Sequence, residues 1–230
     1  MAKSWSEFKQ RLKGIVPVQI CPYTREGEVD IEGFKENTKF LLDFAKKGKD
    51  VVILTNGSTT EFYANSIAEQ KSIIKTVVGT VSGQIPVIAG GGIADARGLV
   101  AALALGAEGV LMGTRFMASQ ECPLHPKIKE LMLQAGETDT IILERSARNA
   151  ARVLKTDFSQ KVLEMEEKGA PQEEIFPLID GNRTKKSYSS GDTNDSIIYC
   201  GQVVGLIDEI LSVKEIIDGI ISEARLIMTL

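Results

Sequence analysis

The hydrophobic positions of this chain alternate between short continuous runs and stripes with helical spacing. Helix signals separate the runs: an Asp30 N-cap, a Ser66–Glu69 capping box and a Gly106 stop predict helices over 31–47, 66–78 and 94–105. This order predicts parallel strands joined by right-handed crossovers. Four runs have the length of buried strands: Ile15–Ile20, Val51–Leu54, Pro86–Ala89 and Gly109–Met112.

The regular alternation of runs and stripes stops after Met117, and the remaining pattern favours helices. A short helix is also expected ahead of the first strand, at Ser4–Lys13. In chain order we expect a helix at Pro126–Ala135, a short strand at Thr138–Leu143, mostly helix at Ser146–Glu167, a loop at Gly181–Asp195, a helix or strand–helix pair at Ile197–Leu211, and a last helix capped by Ser212.

Two glycine-bearing turns follow neighbouring strands of the predicted sheet. Backbone N–H groups in such turns, one set of them at a helix N-terminus, suit a phosphate. The alternative is that the glycines only permit a tight turn and close packing of helix on strand. The candidate cofactor-binding residues are Gly90, Gly91, Gly92, Ile93, Met112, Gly113 and Thr114.

Composition and charge restrict the class of protein. The 230 residues carry a net charge of -4, which does not favour nucleic acid or an anionic membrane as the main partner. The three cysteines are far apart and lack zinc spacing, so we expect reduced thiols, no metal and a cytoplasmic location. The N-terminus lacks the apolar core of a signal peptide, and no apolar run approaches the length of a membrane span.

Residues 14–90 resemble the dihydrodipicolinate synthase and N-acetylneuraminate lyase family. The resemblance is carried by GIVPVQICPYTREGEVDIEGF, DVVILTNGSTTEFYANSIAEQ and PVIAG. It implies that Ser58 and Thr59, in the loop after the second strand, bind the carboxylate of a 2-oxo acid substrate. Enzymes of this class need a Schiff-base lysine at a later strand. No lysine beyond residue 90 ends a predicted strand, so lyase activity is the least favoured reading.

Residues 86–230 resemble the nitronate monooxygenase family, which is related to the FMN-containing enoyl-ACP reductases. The matching stretches are PVIAGGGIADARGLVAALALGAEGVLMGTRFMASQECPLHPKIKE, ARNAARVLKTDF and GDTNDSIIYCGQVVGLIDEI. The resemblance implies that the glycine turns cradle the phosphate of FMN, although Gly90 stands where the family usually has alanine. It also implies a histidine base. In the family that histidine precedes the glycine-rich strand, where this chain resembles the lyases instead.

The two resemblances meet at Pro86–Gly90, which fits either family. We therefore predict a lyase-like part at residues 1–85 and a flavin-barrel-like part at 86–135. The fold class is α/β: a TIM-barrel-derived partial (β/α) barrel of about four parallel strand–helix units, with a mostly helical C-terminal extension at 136–230. About four strands leave the edges of the sheet open, so we expect a homodimer.

These observations predict an FMN-binding oxidoreductase of nitronate monooxygenase type, impaired because the catalytic histidine region is absent. The only histidine, His125, follows the last predicted strand, and we interpret it as structural. No catalytic residue is assigned, and whether the chain is an enzyme stays open. The alternatives are a non-catalytic barrel fragment that binds a phosphate-bearing small molecule, and a lyase-like protein without its Schiff-base lysine.

Overall fold

The computed structural model describes residues 10, 13–55, 65–145 and 150–229. The chain divides into two compact units, one made of Met1–Gly91 and Leu99–Leu111, the other of Gly92–Gly98 and Met112–Leu230. The predicted division at residue 135 stays a prediction. The predicted helix at Ser4–Lys13 lies outside the described residues except for Gln10 and Lys13.

The first unit contains alternating helices and strands, as the hydrophobic pattern predicts. Helix α3 belongs in part to each unit, because the chain returns to the first unit at Leu99. In chain order the elements are α1 (Ile31–Lys46), β1 (Ile53–Thr55), α2 (Ile67–Val81), β2 (Val87–Gly90), α3 (Ala96–Ala104) and β3 (Gly109–Leu111).

A parallel sheet in the order β1-β2-β3 organises the first unit. The predicted strand at Ile15–Ile20 contributes two isolated parallel bridges, from Ile15 to Val51 and from Val18 to Leu54. Four parallel segments are thus present among the described residues, which confirms the α/β class with parallel strands.

Helices α1 and α2 begin at the predicted N-caps. Asp30 accepts a hydrogen bond from the Gly33 amide at 2.9 Å, and Ser66 forms a reciprocal capping box with Glu69. Both helices bury apolar side chains against one face of the sheet, which is where the hydrophobic effect stabilises this unit. The buried core comprises Cys21, Phe34, Leu42, Val51, Ile53, Ile73, Val77, Val81, Ile85 and Val87.

The second unit contains more helix than strand. Among the residues that the structure describes, no helix is long and apolar enough to cross a membrane. The elements are α4 (Thr114–Met117), α5 (Pro126–Gln134), β4 (Thr140–Leu143), β5 (Ala151–Leu154), α6 (Asp157–Glu167), α7 (Gln172–Ile179), α8 (Gly181–Ser190), a 3-10 helix (Gln202–Leu206) and α9 (Val213–Ile227).

The prediction of mostly helix at Ser146–Glu167 is wrong for Ala151–Leu154, which forms strand β5. The alanine-rich sequence favours helix locally, but β5 has strand partners on both sides. It pairs antiparallel with β4, and it also bonds to the segment 198–200 through Leu154 N to Ile198 O at 2.8 Å. Tertiary pairing therefore overrides local propensity at Ala151–Leu154, and the predicted helix is present at Asp157–Glu167.

The prediction of a loop at Gly181–Asp195 is wrong for Gly181–Ser190, which forms helix α8. Its buried positions are polar, so the hydropathy pattern shows no apolar stripe. Thr184 and Ser187 are buried, and the Thr184 hydroxyl accepts a hydrogen bond from Ser196 at 3.3 Å. The helix ends at Gly191, which has the left-handed φ of +75° that favours glycine.

We predict that Gly191→Ala destabilises the protein by about 3 kcal/mol. An alanine here would be strained by the left-handed backbone conformation, and its Cβ would also overlap the imidazole ring of His125. A Cβ at Gly191 would lie 2.2 Å from Nδ1 of His125. Gly169→Ala is the matched control, because Gly169 has a φ of +71° and open space around its Cβ position. It should cost about 1 kcal/mol in urea unfolding. If the two variants lost the same free energy of unfolding, the overlap with His125 would not contribute to the effect of Gly191→Ala.

Candidate functional site

The two predicted turns begin at the same edge of the parallel sheet. Gly90, the last residue of β2, pairs with Leu111, the last residue of β3. A Cβ on Gly90 would lie 2.9 Å from Cδ1 of Leu54, so a larger residue here would require the Leu54 side chain to shift. The structure thus confirms that both turns follow the carboxyl ends of neighbouring parallel strands.

The glycines after β2 differ from Gly90 in what they require. Gly91 and Gly92 have φ values of +80° and +70°, and no atom lies within 4 Å of the position that a Cβ would take. Both residues are exposed. Glycine is needed here for its backbone conformation, which keeps the turn free of side chains. Such a turn leaves its backbone accessible to a ligand.

The N-terminus of α3 is already capped by a side chain. Asp95 Oδ1 accepts from the Gly98 amide at 2.9 Å, so this amide is not available to a ligand. Ile93 is buried and packs over this first turn, with its Cγ2 3.1 Å from the position of a Cβ on Gly98. The expectation that the helix N-terminus offers bare N–H groups is therefore wrong at Gly98.

Asp95 is held in its charged form. Its Oδ2 accepts from Nε and Nη2 of Arg97 at 2.8 and 2.6 Å. Burial alone would raise the pKa of Asp95, but the Gly98 amide and the Arg97 guanidinium outweigh it and lower the pKa below its usual value. The exposed guanidinium of Arg97 thus balances the negative charge of the Asp95 carboxylate, which lies beside the glycine turn.

Thr114 is the best-defined polar group of the predicted site. It begins the short helix α4 directly after Gly113, and it is buried. Its Oγ1 accepts a hydrogen bond from the Gly201 amide at 2.9 Å. A threonine hydroxyl has one proton to donate, and this contact uses only a lone pair. The proton is not used by the Gly201 contact, and donation to an anion would replace the hydrogen bond between this hydroxyl and the Cys200 sulfur.

Cys200 forms a hydrogen bond with this threonine, and its thiol has low reactivity. Burial raises the pKa of the Cys200 thiol to about 12, and a hydrogen bond with Thr114 opposes the shift only in part. The thiol stays protonated at neutral pH, so it is a poor nucleophile. All three cysteines, Cys21, Cys122 and Cys200, are free, as the sequence analysis predicts.

Arg115 follows Thr114 but is engaged with the protein itself. Its Nη2 donates to the backbone oxygen of Glu209 at 2.9 Å, and its Nε has no hydrogen-bond partner among the described residues. Burial lowers the pKa of Arg115, while the Asp208 and Glu209 carboxylates oppose this shift. Arg115 therefore holds the segment that leads into α9.

His125 has a structural position in the second unit. Its Nδ1 accepts from the Lys127 amide at 3.3 Å at the N-terminus of α5, and its own amide donates to the Tyr188 carbonyl at 2.8 Å. These contacts support the interpretation of His125 as a structural residue rather than a base.

The predicted residues divide between the two units. Gly90 and Gly91 belong to the first unit, whereas Gly92, Ile93, Met112, Gly113 and Thr114 belong to the second. Met112 is half-buried and Gly113 is exposed. Ser58 and Thr59, predicted to bind substrate, lie outside the described residues. Within the described part of the chain, no three His, Cys, Asp or Glu side chains form a group that could hold a metal ion.

Two residues of this region were missed by the sequence analysis. Glu144 is buried, and its Oε1 accepts from the Tyr199 hydroxyl at 3.0 Å. They are 55 residues apart, so no local pattern connects them. The positive φ of +65° at Glu144 could not be read from the sequence either, since non-glycine residues rarely adopt it.

Comparison with known proteins identifies the family. The model of the family described as nitronate monooxygenase matches residues 37–223. The chain belongs to the nitronate monooxygenase family. The match begins well before the predicted junction at Pro86–Gly90, so it includes part of the stretch that resembles the lyases.

Relatives and solved structures support this assignment. The chain is 28% identical over 223 residues to a probable nitronate monooxygenase of Staphylococcus saprophyticus, covering 94% of this chain and 62% of that protein. The chain thus spans about three-fifths of the length of this relative. It is also similar to FabK from Thermotoga maritima, with a TM-score of 0.66 and 29% identity over 97% of this chain and 80% of the other.

The similarity to the lyases is partial. Dihydrodipicolinate synthase from Oceanobacillus iheyensis is 33% identical over 46% of this chain and 36% of its own, with a TM-score of 0.39. A TM-score this low carries no argument about the fold. The junction between two family patterns stays a prediction, whereas membership of the nitronate monooxygenase family is established by the match over residues 37–223.

We predict that acid removes the contribution of Asp95 to stability. The folded protein lowers the pKa of Asp95, so the unfolded chain binds more protons as the pH falls. The contribution is present above the unfolded pKa of about 4 and is lost as the pH falls through the folded pKa. Asp95→Asn keeps an N-cap oxygen but cannot ionise, so its stability relative to wild type should improve from pH 6 to about pH 3 in urea unfolding.

Asp95→Ala is the companion variant, since it loses both the charge and the N-cap. It should be destabilised by about 1 kcal/mol at pH 6. A gap between wild type and Asp95→Asn that stays constant down to about pH 3 would contradict the assignment of a lowered pKa.

Proposed function

We propose that this chain is an FMN-binding oxidoreductase of nitronate monooxygenase type whose oxidation of neutral nitroalkanes is impaired. The observation that carries the proposal is the family match over residues 37–223, which includes every candidate cofactor-binding residue. The sequence resemblance assigns these residues to the phosphate of FMN. Because the chain spans only 62% of a curated relative, activity and substrate are proposals here.

The residues of the second unit fit a phosphate. Gly92 leaves its turn free of side chains, as does Gly113, whose Cβ position has no atom within 4 Å. Thr114 supplies a hydroxyl oriented by the Gly201 amide. Backbone amides and hydroxyl groups are donors that phosphate oxygens accept from. These three residues would hold the phosphate and thereby orient the flavin.

Bound FMN would supply the redox chemistry, because its ring system can accept the electrons that leave the substrate. The chain's own part is to bind and orient the cofactor and, for a neutral nitroalkane, to remove a proton beside the nitro group. His125 cannot be assigned this second task. It is the only histidine of the chain, and its Nδ1 caps α5.

The absence of an assigned base has different consequences for two forms of the same substrate. A nitroalkane must lose a proton before it can be oxidised, whereas a preformed nitronate is already deprotonated. We therefore propose that the FMN-loaded protein oxidises a nitronate far better than the parent nitroalkane. If FMN binds but neither form is turned over, the alternative of a non-catalytic, phosphate-binding protein is supported.

We predict that Thr114→Val weakens FMN binding about tenfold, since the variant loses a hydroxyl that donates to the phosphate. Riboflavin, which lacks the phosphate, should bind equally to both proteins in fluorescence titrations. Thr184→Val is the control, because Thr184 is a buried threonine of the same unit whose hydroxyl bonds only within the protein. Wild-type protein that binds no FMN would overturn the proposed function.

We predict that His125→Asn leaves the turnover of both substrate forms unchanged. Asparagine keeps a side-chain acceptor at the N-terminus of α5, whereas His125→Ala loses it and should cost about 1 kcal/mol of stability. Steady-state oxygen consumption with matched nitroalkane and nitronate is the measurement. A His125→Asn protein that loses nitroalkane turnover but keeps nitronate turnover would show that His125 is the base after all.

A further inference from the structure

The segment that carries Tyr199 is fixed as a third strand beside β5. Leu154 N donates to Ile198 O at 2.8 Å, and Cys200 N donates to Arg152 O at 3.1 Å. Between these bonds, Tyr199 forms an antiparallel bridge with Val153. The position of the chain is therefore determined up to Cys200, immediately before Gly201.

Tyr199 makes two further hydrogen bonds besides its pairing with β5. Its hydroxyl donates to Glu144 Oε1 at 3.0 Å, and its amide donates to the hydroxyl of Tyr188 at 3.1 Å. Burial and the nearby Glu144 carboxylate raise the pKa of Tyr199, so its hydroxyl keeps the donated proton at neutral pH. The contact is thus a hydrogen bond from a neutral phenol to the carboxylate.

Glu144 is buried and has an unfavourable backbone conformation. Its side chain is 4% exposed, and its backbone has a φ of +65°, while its amide donates to Glu166 Oε2 at 3.0 Å. Burial of a carboxylate and a left-handed non-glycine residue are both unfavourable, and such features concentrate where a protein positions functional groups. One partner of the Glu144 carboxylate is the Tyr199 hydroxyl.

The anchored segment ends on the threonine of the candidate site. Directly after Cys200, the Gly201 amide donates to Thr114 Oγ1 at 2.9 Å. This bond restricts rotation of the hydroxyl, because the lone pair that faces Gly201 cannot also carry the proton. A shift of the segment would release the hydroxyl and let its proton point in other directions.

We propose that Tyr199 and Glu144 are positioning residues for the Thr114 hydroxyl and thereby set the affinity for the phosphate of the flavin. The inference rests on the proposed function, since it assigns the phosphate of FMN to Thr114. Tyr199 acts through the backbone of Gly201 and needs no contact with the ligand. Its effect is therefore specific for ligands that carry the phosphate.

The test is Tyr199→Phe, which keeps the ring and removes the hydrogen bond to Glu144. We expect the dissociation constant for FMN to rise about tenfold, while that for riboflavin stays unchanged. Equal losses for FMN and riboflavin would overturn the proposal, because they would indicate a general structural defect or contact with the flavin ring. Unchanged binding of both ligands would overturn it as well.

Tyr23→Phe is the matched control in the first unit. Its hydroxyl donates to Asn65 Oδ1 at 3.0 Å, so the same atom is lost from a bond of the same length. Binding of FMN and riboflavin should match wild type. If Tyr199→Phe does not fold, Glu144→Gln takes its place, since the amide keeps an oxygen acceptor for Tyr199. We expect an FMN-specific loss of about threefold, and no loss would overturn the proposal.

The same titrations distinguish the positioning role of Tyr199 from the proposed binding of FMN. Wild-type protein that binds neither FMN nor riboflavin overturns the proposed function itself. Wild-type protein that binds FMN more tightly than riboflavin, with Tyr199→Phe showing the same preference, overturns only the positioning role.

Discussion

The hydrogen bond from the Gly201 amide to Thr114 Oγ1 connects residues 87 positions apart in the second unit. It orients the hydroxyl that the family resemblance assigns to a phosphate. Its geometry depends on the strand-like segment 198–200, which pairs with β5 and is also bonded by the Tyr188 hydroxyl and the Glu144 carboxylate. The candidate site is therefore a product of tertiary pairing rather than of the glycine motif alone.

The charged groups near this region are arranged so that each has a compensating partner. Asp95 is paired with Arg97 beside the glycine turn, and Arg115 lies near two carboxylates and bonds the Glu209 carbonyl. The sole histidine is committed to a helix terminus. The charged side chains of this region are therefore engaged mainly with other groups of the protein.

Local signals predicted much of the fold. The N-caps at Asp30, Ser66 and Ser212 form as their sequences indicate, and the two strands flanking the glycine turn pair in parallel. These features depend on residues within a few positions of one another. Asp95 could also have been recognised, since an aspartate three residues before Gly98 has N-cap spacing.

The remaining structure depended on contacts that local pattern does not encode. Helix α8 buries Thr184 and Ser187, so a hydropathy stripe is missing, and β5 is a strand only because it has partners on both sides. Glu144 and Tyr199 meet across 55 positions of sequence. The hydrogen bond between them depends on the tertiary structure and could not be predicted from the sequence.

The position of Gly201, 87 residues after Thr114, has a consequence for biosynthesis. Thr114 emerges from the ribosome long before the amide that orients its hydroxyl, and the strand that carries that amide must first add to β5. The parallel sheet of the first unit lies entirely before Thr114 in the sequence, so it can form while the Thr114 hydroxyl still lacks the Gly201 amide as its partner. The orientation of the Thr114 hydroxyl is therefore reached only after Gly201 has been synthesised and its segment has paired with β5.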